Sequence, residues 1–377
     1  MRKIGVEEEL MLVDPETGLV TGVSAKALRA RREAEDRGEV SKDDAPVEQE
    51  LFLQQIETAT EPRTSAADLA EDIVRGRRAV GEAARAAGAA AVAVPTPVLV
   101  ADAPVLTNKP RYHRMMEEYG ELTRQSLVCG MHVHVDVDGD DEAVRVMDGI
   151  RPWLPVLLAI SANSPFWEGR DTRFASWRSQ LWSRWPSSGP AEPFESTDAY
   201  RSTLDKMMEW GAAMDDGMLY LDARVSATYP TIEIRVADVC TEPEDAVLVA
   251  TLARALVSTS AETGDGDSRA WRSDLLRAAT WRAARHGLSS TLVNPSTMEL
   301  APVRDVFDAL RTYSEEALRA TDDWDWTADA FARLLAQGTG AARQRAAFEA
   351  GGSVEAVVQD LVVRTEGSWH EADRAAS

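Results

Sequence analysis

Several short segments of this chain alternate apolar residues with Glu, His or Arg, and this alternation restricts the fold more than any other feature. In an extended strand, residues two positions apart point to the same face of a sheet. The alternating segments are residues 5–10, 53–60, 131–136 and 231–236, with a shorter one around Asp222 and Arg224. They predict a sheet with one apolar face packed against helices and one face that gathers Glu, His and Arg side chains.

The remaining patterns divide the chain into a strand-rich part, residues 1–240, and a helical part, residues 241–377. The first part also contains predicted helices near residues 25–37, 65–87, 109–126, 141–161 and 196–213. From about residue 242 onward the periodicity predicts helices only. Strands placed early and helices placed late favour an α+β fold over an alternating βαβ fold.

The net charge limits the partners that the chain can bind. The sequence has 41 Lys and Arg against 63 Asp and Glu, which gives a formal charge of −22. Such a field repels polyanions, so we expect binding neither to nucleic acid nor to a membrane. A small anionic substrate remains compatible with this charge if Arg residues or bound cations neutralise it locally.

The cysteine content and the N-terminal segment predict a cytoplasmic protein. Cys129 and Cys240 are the two cysteines, which is too few for a disulfide framework. The opening residues MRKIGVEEEL lack the apolar stretch of a secretory signal. The uncharged stretches 86–101 and 152–167 are short and contain Pro, so neither is expected to cross a bilayer.

The residue types on the polar face indicate a site for a metal ion and an anion. The chain has five His, and two of them lie in a single His-x-His, whereas Lys is absent from the alternating segments. Carboxylates are hard ligands suited to Mg²⁺ or Mn²⁺, imidazole is a further ligand, and Arg binds phosphate through two parallel hydrogen bonds. A solvated or structural face remains an alternative, as does a zinc site formed by His132, His134 and Asp136.

Several common nucleotide and hydrolase motifs are missing from the sequence. It contains no GxxxxGK[ST] loop, no GxGxxG, no HExxH and no GxSxG. A P-loop nucleotide site, a dinucleotide-binding fold, a helical zinc protease site and a nucleophile elbow are therefore excluded.

Six segments, in this order along the chain, resemble the carboxylate–amine ligases of the bacterial glutamate–cysteine ligase type 2 family. They are GVEEEL (5–10), QQIETAT (54–60), GMHVHV (130–135), SANSPFWEGRDTRFASWR (161–178), TYPTIEIRVADV (228–239) and WRAARHGLSSTLVNP (281–295). The resemblance implies a single catalytic domain over residues 1–377 with a glutamine-synthetase-like fold. In that fold an antiparallel sheet carries the active site on its polar face and is backed by helices.

The resemblance also implies a reaction and its cofactors. The reaction joins a γ-carboxylate to an amine, typically glutamate to cysteine, through a γ-glutamyl phosphate, and it uses ATP and Mg²⁺, with Mn²⁺ as an alternative ion. Residues that match the family's metal ligands are Glu7, Glu9, Glu57, His132 and Glu233. Arg235 and Arg178 match arginines for the phosphoryl group or a substrate carboxylate, and Arg235, Arg285 and His134 are the predicted cofactor-binding residues.

The resemblance leaves the acceptor amine and the assembly state open. Arg173 stands where the family usually has Gly, which adds charge and bulk to a loop near the expected substrate site. Residues 161–169 are expected to form a wall or lid over the amino-acid substrate. The alternatives are a ligase with a different amine acceptor, a phosphotransferase on the same scaffold and a regulatory protein that retains the site. A homodimer is compatible with the helical part, but no residue selects it.

Overall fold

The computed structural model describes residues 1–41, 43–264 and 266–376. The strands are β1 (Ile4–Val13), β2 (Glu48–Gln49), β3 (Gln55–Ala59), β4 (Ala90–Val92), β5 (Gly130–Asp136), β6 (Phe166–Trp167), β7 (Arg170–Asp171), β8 (Ala223–Val225), β9 (Thr231–Asp238), β10 (Leu292–Val293) and β11 (Leu300–Ala301). The helices of the first part are α1 (Ser24–Asp36), α2 (Ala66–Ala86), α3 (Pro110–Tyr119), α4 (Glu121–Arg124), α5 (Asp140–Ile150), α6 (Leu154–Ser161), α7 (Trp177–Trp182) and α8 (Thr197–Glu209). Those of the second part are α9 (Pro243–Thr263), α10 (Ser273–His286), α11 (Val303–Tyr313), α12 (Glu315–Ala320), α13 (Trp324–Gln337), α14 (Gly340–Gly351) and α15 (Val354–Ala376).

A seven-stranded sheet organises the molecule, with strand order β2-β3-β1-β5-β9-β8 and with β4 paired beside β1. All of its strand pairings are antiparallel. The register shifts between β5 and β9 near Met131 and Val133, because β9 holds one extra residue there. Such bulges bend a strand and re-aim its side chains, and this one lies beside Arg235.

The apolar face of the sheet is covered by long helices, as the alternation predicts. Helices α2 and α9 pack across β1, and α6 packs against β9. The side chain of Ser65 caps α2 by accepting hydrogen bonds from the backbone N–H groups of Ala67 and Asp68. Glu8 is the one acidic residue of the GVEEEL segment on this face, and the fully buried Arg77 of α2 binds it with distances of 2.8 and 2.6 Å.

One continuous apolar core contains residues from both parts of the chain, from Ile4 on β1 to Leu361 on α15. The α+β fold is therefore observed, with strands mainly in the first part and helices mainly in the second. In the described part of the chain, every helix falls short of the length and apolar character that a bilayer crossing requires.

The structure corrects two predictions about local structure. The region after residue 242 is not helical throughout, because β10 and β11 form a short antiparallel ribbon within it. The segment 161–193, which its content of Trp, Ser, Arg, Pro and Gly predicts to be a long irregular loop, contains regular elements: β6 pairs with β7, and α7 follows with the side chain of Ser176 as its cap. These short elements lack the periodicity that would reveal them in the sequence.

Candidate active site

The polar face of the sheet forms the floor of a cleft of about 510 Å³. Because β1, β3, β5 and β9 are neighbours in antiparallel register, their alternate residues converge there. The acidic and histidine residues that line the cleft are Glu7, Glu9, Glu50, Glu57, His132, His134, Asp215, Asp216 and Glu233. The metal-ligating residues predicted from the sequence are all among them.

One group of side chains surrounds Glu7. Its two carboxylate oxygens lie 3.2 Å from His132 Nδ1 and 3.2 Å from His134 Nε2. Ligand atoms of Glu7, His134 and Glu233 all lie within 4.8 Å of one another, which is close enough to share one metal ion. The other ring nitrogen of His134 shares a 3.0 Å hydrogen bond with Thr231 Oγ1, a contact that orients the imidazole.

Burial and neighbouring charges keep the Glu7 carboxylate ionised and the His132 imidazole neutral. Burial acts to raise the pKa of Glu7, but hydrogen bonds with His132 and His134 outweigh it and hold the pKa well below its usual range. Burial, together with the nearby Arg235, lowers the pKa of His132 to about 4. A neutral imidazole beside ionised carboxylates is the protonation state that metal binding requires.

Two arginines bind Glu233 from opposite sides. Arg224 Nε lies 2.7 Å from one carboxylate oxygen, and Arg235 Nη1 binds the other. Burial opposes ionisation of Glu233, but Arg235, His132 and Arg224 outweigh it and lower its pKa to about 2. Arg224 and Arg235 therefore place two guanidinium groups beside the carboxylates, where an anionic phosphate would need them.

A second group consists of Glu9, Glu50 and Glu57. Burial raises the pKa of Glu9 to about 8, and the charge of Glu50 adds to the rise. The pKa of Glu57 is raised well above its usual value, first by burial and then by Glu50. Gly130 N–H donates a 2.6 Å hydrogen bond to Glu9, which satisfies only part of its capacity. Three carboxylates crowded in this way require a proton or a cation to offset their repulsion.

Arg178 is held behind the cleft by buried polar groups. Its backbone N–H donates to Ser164 Oγ at 3.0 Å, and its guanidinium lies 3.9 Å from Asp238. Asp238 is itself fixed by three donors: the N–H of Asn163 and the hydroxyls of Ser164 and Ser176. This network fixes the position of the Arg178 guanidinium beside Arg235, whose backbone carbonyl it contacts at 3.3 Å.

A second, larger cavity of about 860 Å³ opens beside the cleft. We call it the tryptophan cavity, because Trp182, Trp185 and Trp281 line it together with Arg178 and Asp222. Trp182, Tyr220 and Arg235 line both cavities and mark the junction between them. Val236, which lies at the extra residue in β9, lines this cavity and also belongs to the apolar core.

The structure does not bring three of the predicted features to either cavity. Arg285 instead donates a hydrogen bond to the backbone carbonyl of Arg173 and lies over the ring of Phe174. Asp136 accepts a hydrogen bond from the Lys3 N–H at 3.1 Å, away from the cleft, so it does not join His132 and His134 in a zinc triad. Residues 161–169 line neither cavity; Ser161 to Ser164 are buried, and this segment anchors Asp238.

Sequence reasoning missed several residues that line the cleft. Glu50 follows β2, and the chain reverses before β3, so strand alternation gave no signal that it faces Glu57. Tyr220 comes from a segment between regular elements and Trp182 from the six-residue helix α7, and neither segment is long enough to show a periodicity. Arg224 was placed on the polar face by alternation, but its contact with Glu233 was not foreseen.

Comparison with solved structures identifies the fold. The bifunctional glutathione synthetase from Pasteurella multocida aligns with a TM-score of 0.69 and 15% sequence identity, over 98% of this chain and 53% of that one. The glutamate–cysteine ligase from Francisella tularensis in complex with AMP aligns with a TM-score of 0.63 and 13% identity, over 99% of this chain and 94% of that one. These similarities confirm the glutamine-synthetase-like fold.

Sequence comparison identifies the family. The family model described as "Glutamate-cysteine ligase family 2 (GCS2)" matches residues 3–360. A relative from Nocardioides sp., provisionally named glutamate–cysteine ligase 2-1, is 48% identical over 100% of this chain and 99% of its own length. A relative from Streptomyces avermitilis with the same provisional name is 46% identical over 97% of this chain and 100% of its own length. The chain therefore belongs to glutamate–cysteine ligase family 2 and is an ATP-dependent carboxylate–amine ligase.

Proposed function

We propose that this ligase joins the γ-carboxylate of glutamate to the amino group of cysteine, with ATP as the phosphoryl donor. The observation that carries the proposal is the convergence of Glu7, Glu9, Glu57 and Glu233 with two imidazoles on one face of the sheet, beside Arg235. The names of the relatives supply the two substrates. The AMP bound to the Francisella tularensis ligase is consistent with a nucleotide at this kind of site.

The two groups of side chains on the sheet fit divalent cations. One cation is proposed to bind between Glu7, Glu233 and the imidazole nitrogens of His132 and His134. A second is proposed to bind among Glu9, Glu50 and Glu57, where it would replace the protons that burial now favours. Carboxylate oxygens suit Mg²⁺ or Mn²⁺, and imidazole is a further ligand that Mn²⁺ accepts. When bound, these ions would neutralise the charge of the ATP phosphates.

The arginines have separate proposed roles. Arg235, which bonds to Glu233 and lies at the junction of the two cavities, would stabilise the transferring phosphoryl group. Arg178, fixed by the Asp238 network, would bind the acyl phosphate or a substrate carboxylate. Arg285 is proposed to stabilise the turn at Arg173 rather than to contact the nucleotide, because it lines neither cavity.

The proposed reaction has two steps, phosphorylation of the γ-carboxylate and attack of the amine on the acyl phosphate. In the first, an oxygen of the glutamate γ-carboxylate attacks the γ-phosphorus of ATP, and the bond to the ADP leaving group breaks. In the second, the amino nitrogen attacks the acyl carbon, the amide bond forms and the bond to the phosphate oxygen breaks. Of the two protons that the acceptor ammonium loses, one leaves with inorganic phosphate and one passes to solvent. Each step develops charge on phosphate oxygens, which the guanidinium groups of Arg235 and Arg178 would stabilise.

An amine other than cysteine is the second candidate acceptor. It is favoured by the size of the tryptophan cavity. The chemistry at the sheet would be the same, so only the acceptor distinguishes this candidate.

The test is an assay of ADP release by the purified full chain with Mg-ATP, glutamate and either cysteine or a panel of other amines. We expect ADP release that depends on both substrates, and an amide product of matching mass. Glu233→Gln should abolish turnover, whereas Glu349→Gln, at an exposed site on α14, should not. ADP formed with a stable phosphorylated compound and no amide would indicate a phosphotransferase. No ADP with any amine would contradict the proposal.

A further inference from the structure

The tryptophan cavity is larger than cysteine requires. Its volume is about 860 Å³, compared with about 510 Å³ for the cleft that holds the carboxylates. Cavities of about 300–1,000 Å³ accommodate drug-sized ligands. Cysteine would fill a small fraction of this space, so the cavity is built for a bulkier group.

Aromatic side chains form the walls of the tryptophan cavity. The rings of Trp182 and Tyr220 lie 4.5 Å apart between centroids, and those of Trp185 and Tyr220 lie 5.3 Å apart. Trp281 on α10 lines the outer end and is 48% exposed. Leu158 contributes an apolar surface at the floor. Walls of this kind favour an aromatic guest, which gains both apolar burial and ring contacts.

Among the residues that the structure describes, the tryptophan cavity carries four polar groups that lack partners, and two of them, on Trp182 and Arg235, lie at its junction with the cleft. In the described part of the chain, the indole N–H groups of Trp182 and Trp185 and the Nε–H groups of Arg178 and Arg235 have no hydrogen-bond acceptor. Such buried donors are costly unless a ligand supplies an acceptor. Asp222 lines the same cavity, and its side-chain oxygens can accept hydrogen bonds from an ammonium group, whose positive charge would favour the ionised form of this carboxyl group.

These groups match the α-carboxylate and the α-ammonium group of an amino acid with a large side chain. The guanidinium and indole donors suit its carboxylate, and Asp222 suits its ammonium group. Trp281, which lines the tryptophan cavity and not the cleft, then lies where the side chain can extend beyond the junction. The amino group is left next to Arg235, where an acyl phosphate in the cleft would be within reach.

We propose that the tryptophan cavity is the acceptor subsite of this ligase and that it accepts aromatic α-amino acids, which become γ-glutamyl amides. This proposal rests on the γ-glutamyl ligase activity proposed above and extends its acceptor range beyond cysteine. The amino nitrogen attacks the acyl carbon, and phosphate leaves as described for cysteine. A carboxylate and an amino group at the inner end are common to both acceptors, so the aromatic side chain is the added determinant.

The test measures kcat/KM of the full chain with Mg-ATP and saturating glutamate for four acceptors: cysteine, alanine, phenylalanine and 2-phenylethylamine. We expect kcat/KM for phenylalanine to exceed that for alanine at least tenfold, because alanine lacks the ring. It should also exceed that for 2-phenylethylamine at least tenfold, because that amine lacks the carboxylate. Turnover of cysteine without turnover of phenylalanine would overturn the acceptor proposal and leave the ligase proposal standing. No turnover with any acceptor would overturn both.

Two tryptophan variants test whether the tryptophan cavity causes the preference for phenylalanine over alanine. Trp281→Ala should reduce the preference for phenylalanine over alanine at least fivefold, because it removes part of the aromatic wall. Trp210→Ala is the matched control, since Trp210 is 75% exposed and lines neither cavity. If Trp281→Ala instead raises the KM for ATP with cysteine as acceptor, the cavity holds the nucleotide and the proposal is wrong. An unchanged preference in Trp281→Ala would also contradict it.

Discussion

Glu9 on β1 and Glu57 on β3 are direct partners in the antiparallel register, so two carboxyl groups occupy adjacent positions on the same face of the sheet. Glu50 adds a third carboxyl group beside them, and the pKa values of Glu9 and Glu57 are raised, first by burial and then by this neighbour. A protein without a cation at this position must keep protons there or accept the repulsion. The arrangement is understandable if a divalent cation binds among these residues.

Divalent cations are therefore expected to stabilise the protein. A ligand at a hundredfold excess over its Kd stabilises the folded state by about 2.7 kcal/mol, which should appear as a rise in Tm when Mg²⁺ or Mn²⁺ is added and as its loss with a chelator. Glu57→Gln should reduce this rise, because it removes one ligand of the second group. The control variant Glu349→Gln, changed at an exposed site on α14, should show the same rise in Tm as the wild type. A Tm of the wild type that does not respond to either ion would contradict this account.

Gly130→Ala should impair catalysis through Arg178. A Cβ at position 130 would overlap the Arg178 guanidinium, which is buried and held near Asp238 at 3.9 Å. We expect a fall in kcat/KM of at least about tenfold, because small misplacements of groups that touch substrate are costly in rate. Gly367→Ala is the control, since a Cβ there meets no neighbouring atom. If Gly130→Ala has the kcat/KM of the wild type, the position of the Arg178 guanidinium does not contribute to catalysis.

Arg173→Gly should stabilise the protein. Arg173 has a φ of +66°, a left-handed conformation that an L side chain disfavours by roughly 1–2 kcal/mol and that Gly adopts freely. After the entropic cost of Gly, we expect a net gain of about 0.5–1 kcal/mol in the free energy of unfolding, measured with urea. Arg173→Ala retains the strain and is the control. Equal stability of the two variants would show that the backbone at this position is not strained.

Asp222 should give the stability a measurable dependence on pH. Burial raises its pKa from the ordinary 3.8 to about 7, so the folded state keeps this proton while the unfolded state loses it as the pH rises through this window. The contribution of Asp222 to the free energy of unfolding should therefore fall between about pH 4 and pH 7, by at most about 1.4 kcal/mol per pH unit, and level off above pH 7.

The measurement compares the wild type with Asp222→Asn by urea unfolding from pH 4 to pH 8 in saturating Mg²⁺. The variant lacks the titrating carboxyl group, so its stability relative to the wild type should increase across this window. Asp308→Asn, at an exposed position on α11, should follow the wild type. If the free energies of unfolding of the wild type and Asp222→Asn change with pH in parallel, the pKa of Asp222 is not raised in the folded state.

Strand alternation was sufficient to predict the polar face of the sheet, because Glu7, Glu57, His132 and Glu233 lie on strands whose alternate residues are apolar. It could not predict Glu50, which reaches the cleft through a chain reversal. It also could not predict the extra residue in β9 opposite β5. Bulges and reversals depend on tertiary pairing, which leaves no period in the sequence.

The segment 161–193 shows a second limit of sequence reasoning. Residues 161–169 were predicted to form a wall or lid over the substrate, but they line neither cavity. Ser164 and Ser176 are used to fix Asp238, and Trp182 and Trp185 line the adjacent cavity instead. Which tryptophan faces a cavity depends on the docking of α7, which the composition of the segment does not reveal.

The most direct test of the central claim is a crystal structure of the full chain with Mn²⁺ and a non-hydrolysable ATP analogue, with the anomalous signal used to locate the metal. The account predicts one Mn²⁺ bound by Glu7, Glu233 and an imidazole, and another bound among Glu9, Glu50 and Glu57, each within about 2.0–2.6 Å of its ligands. Anomalous peaks absent from both groups, with the nucleotide bound elsewhere, would contradict it.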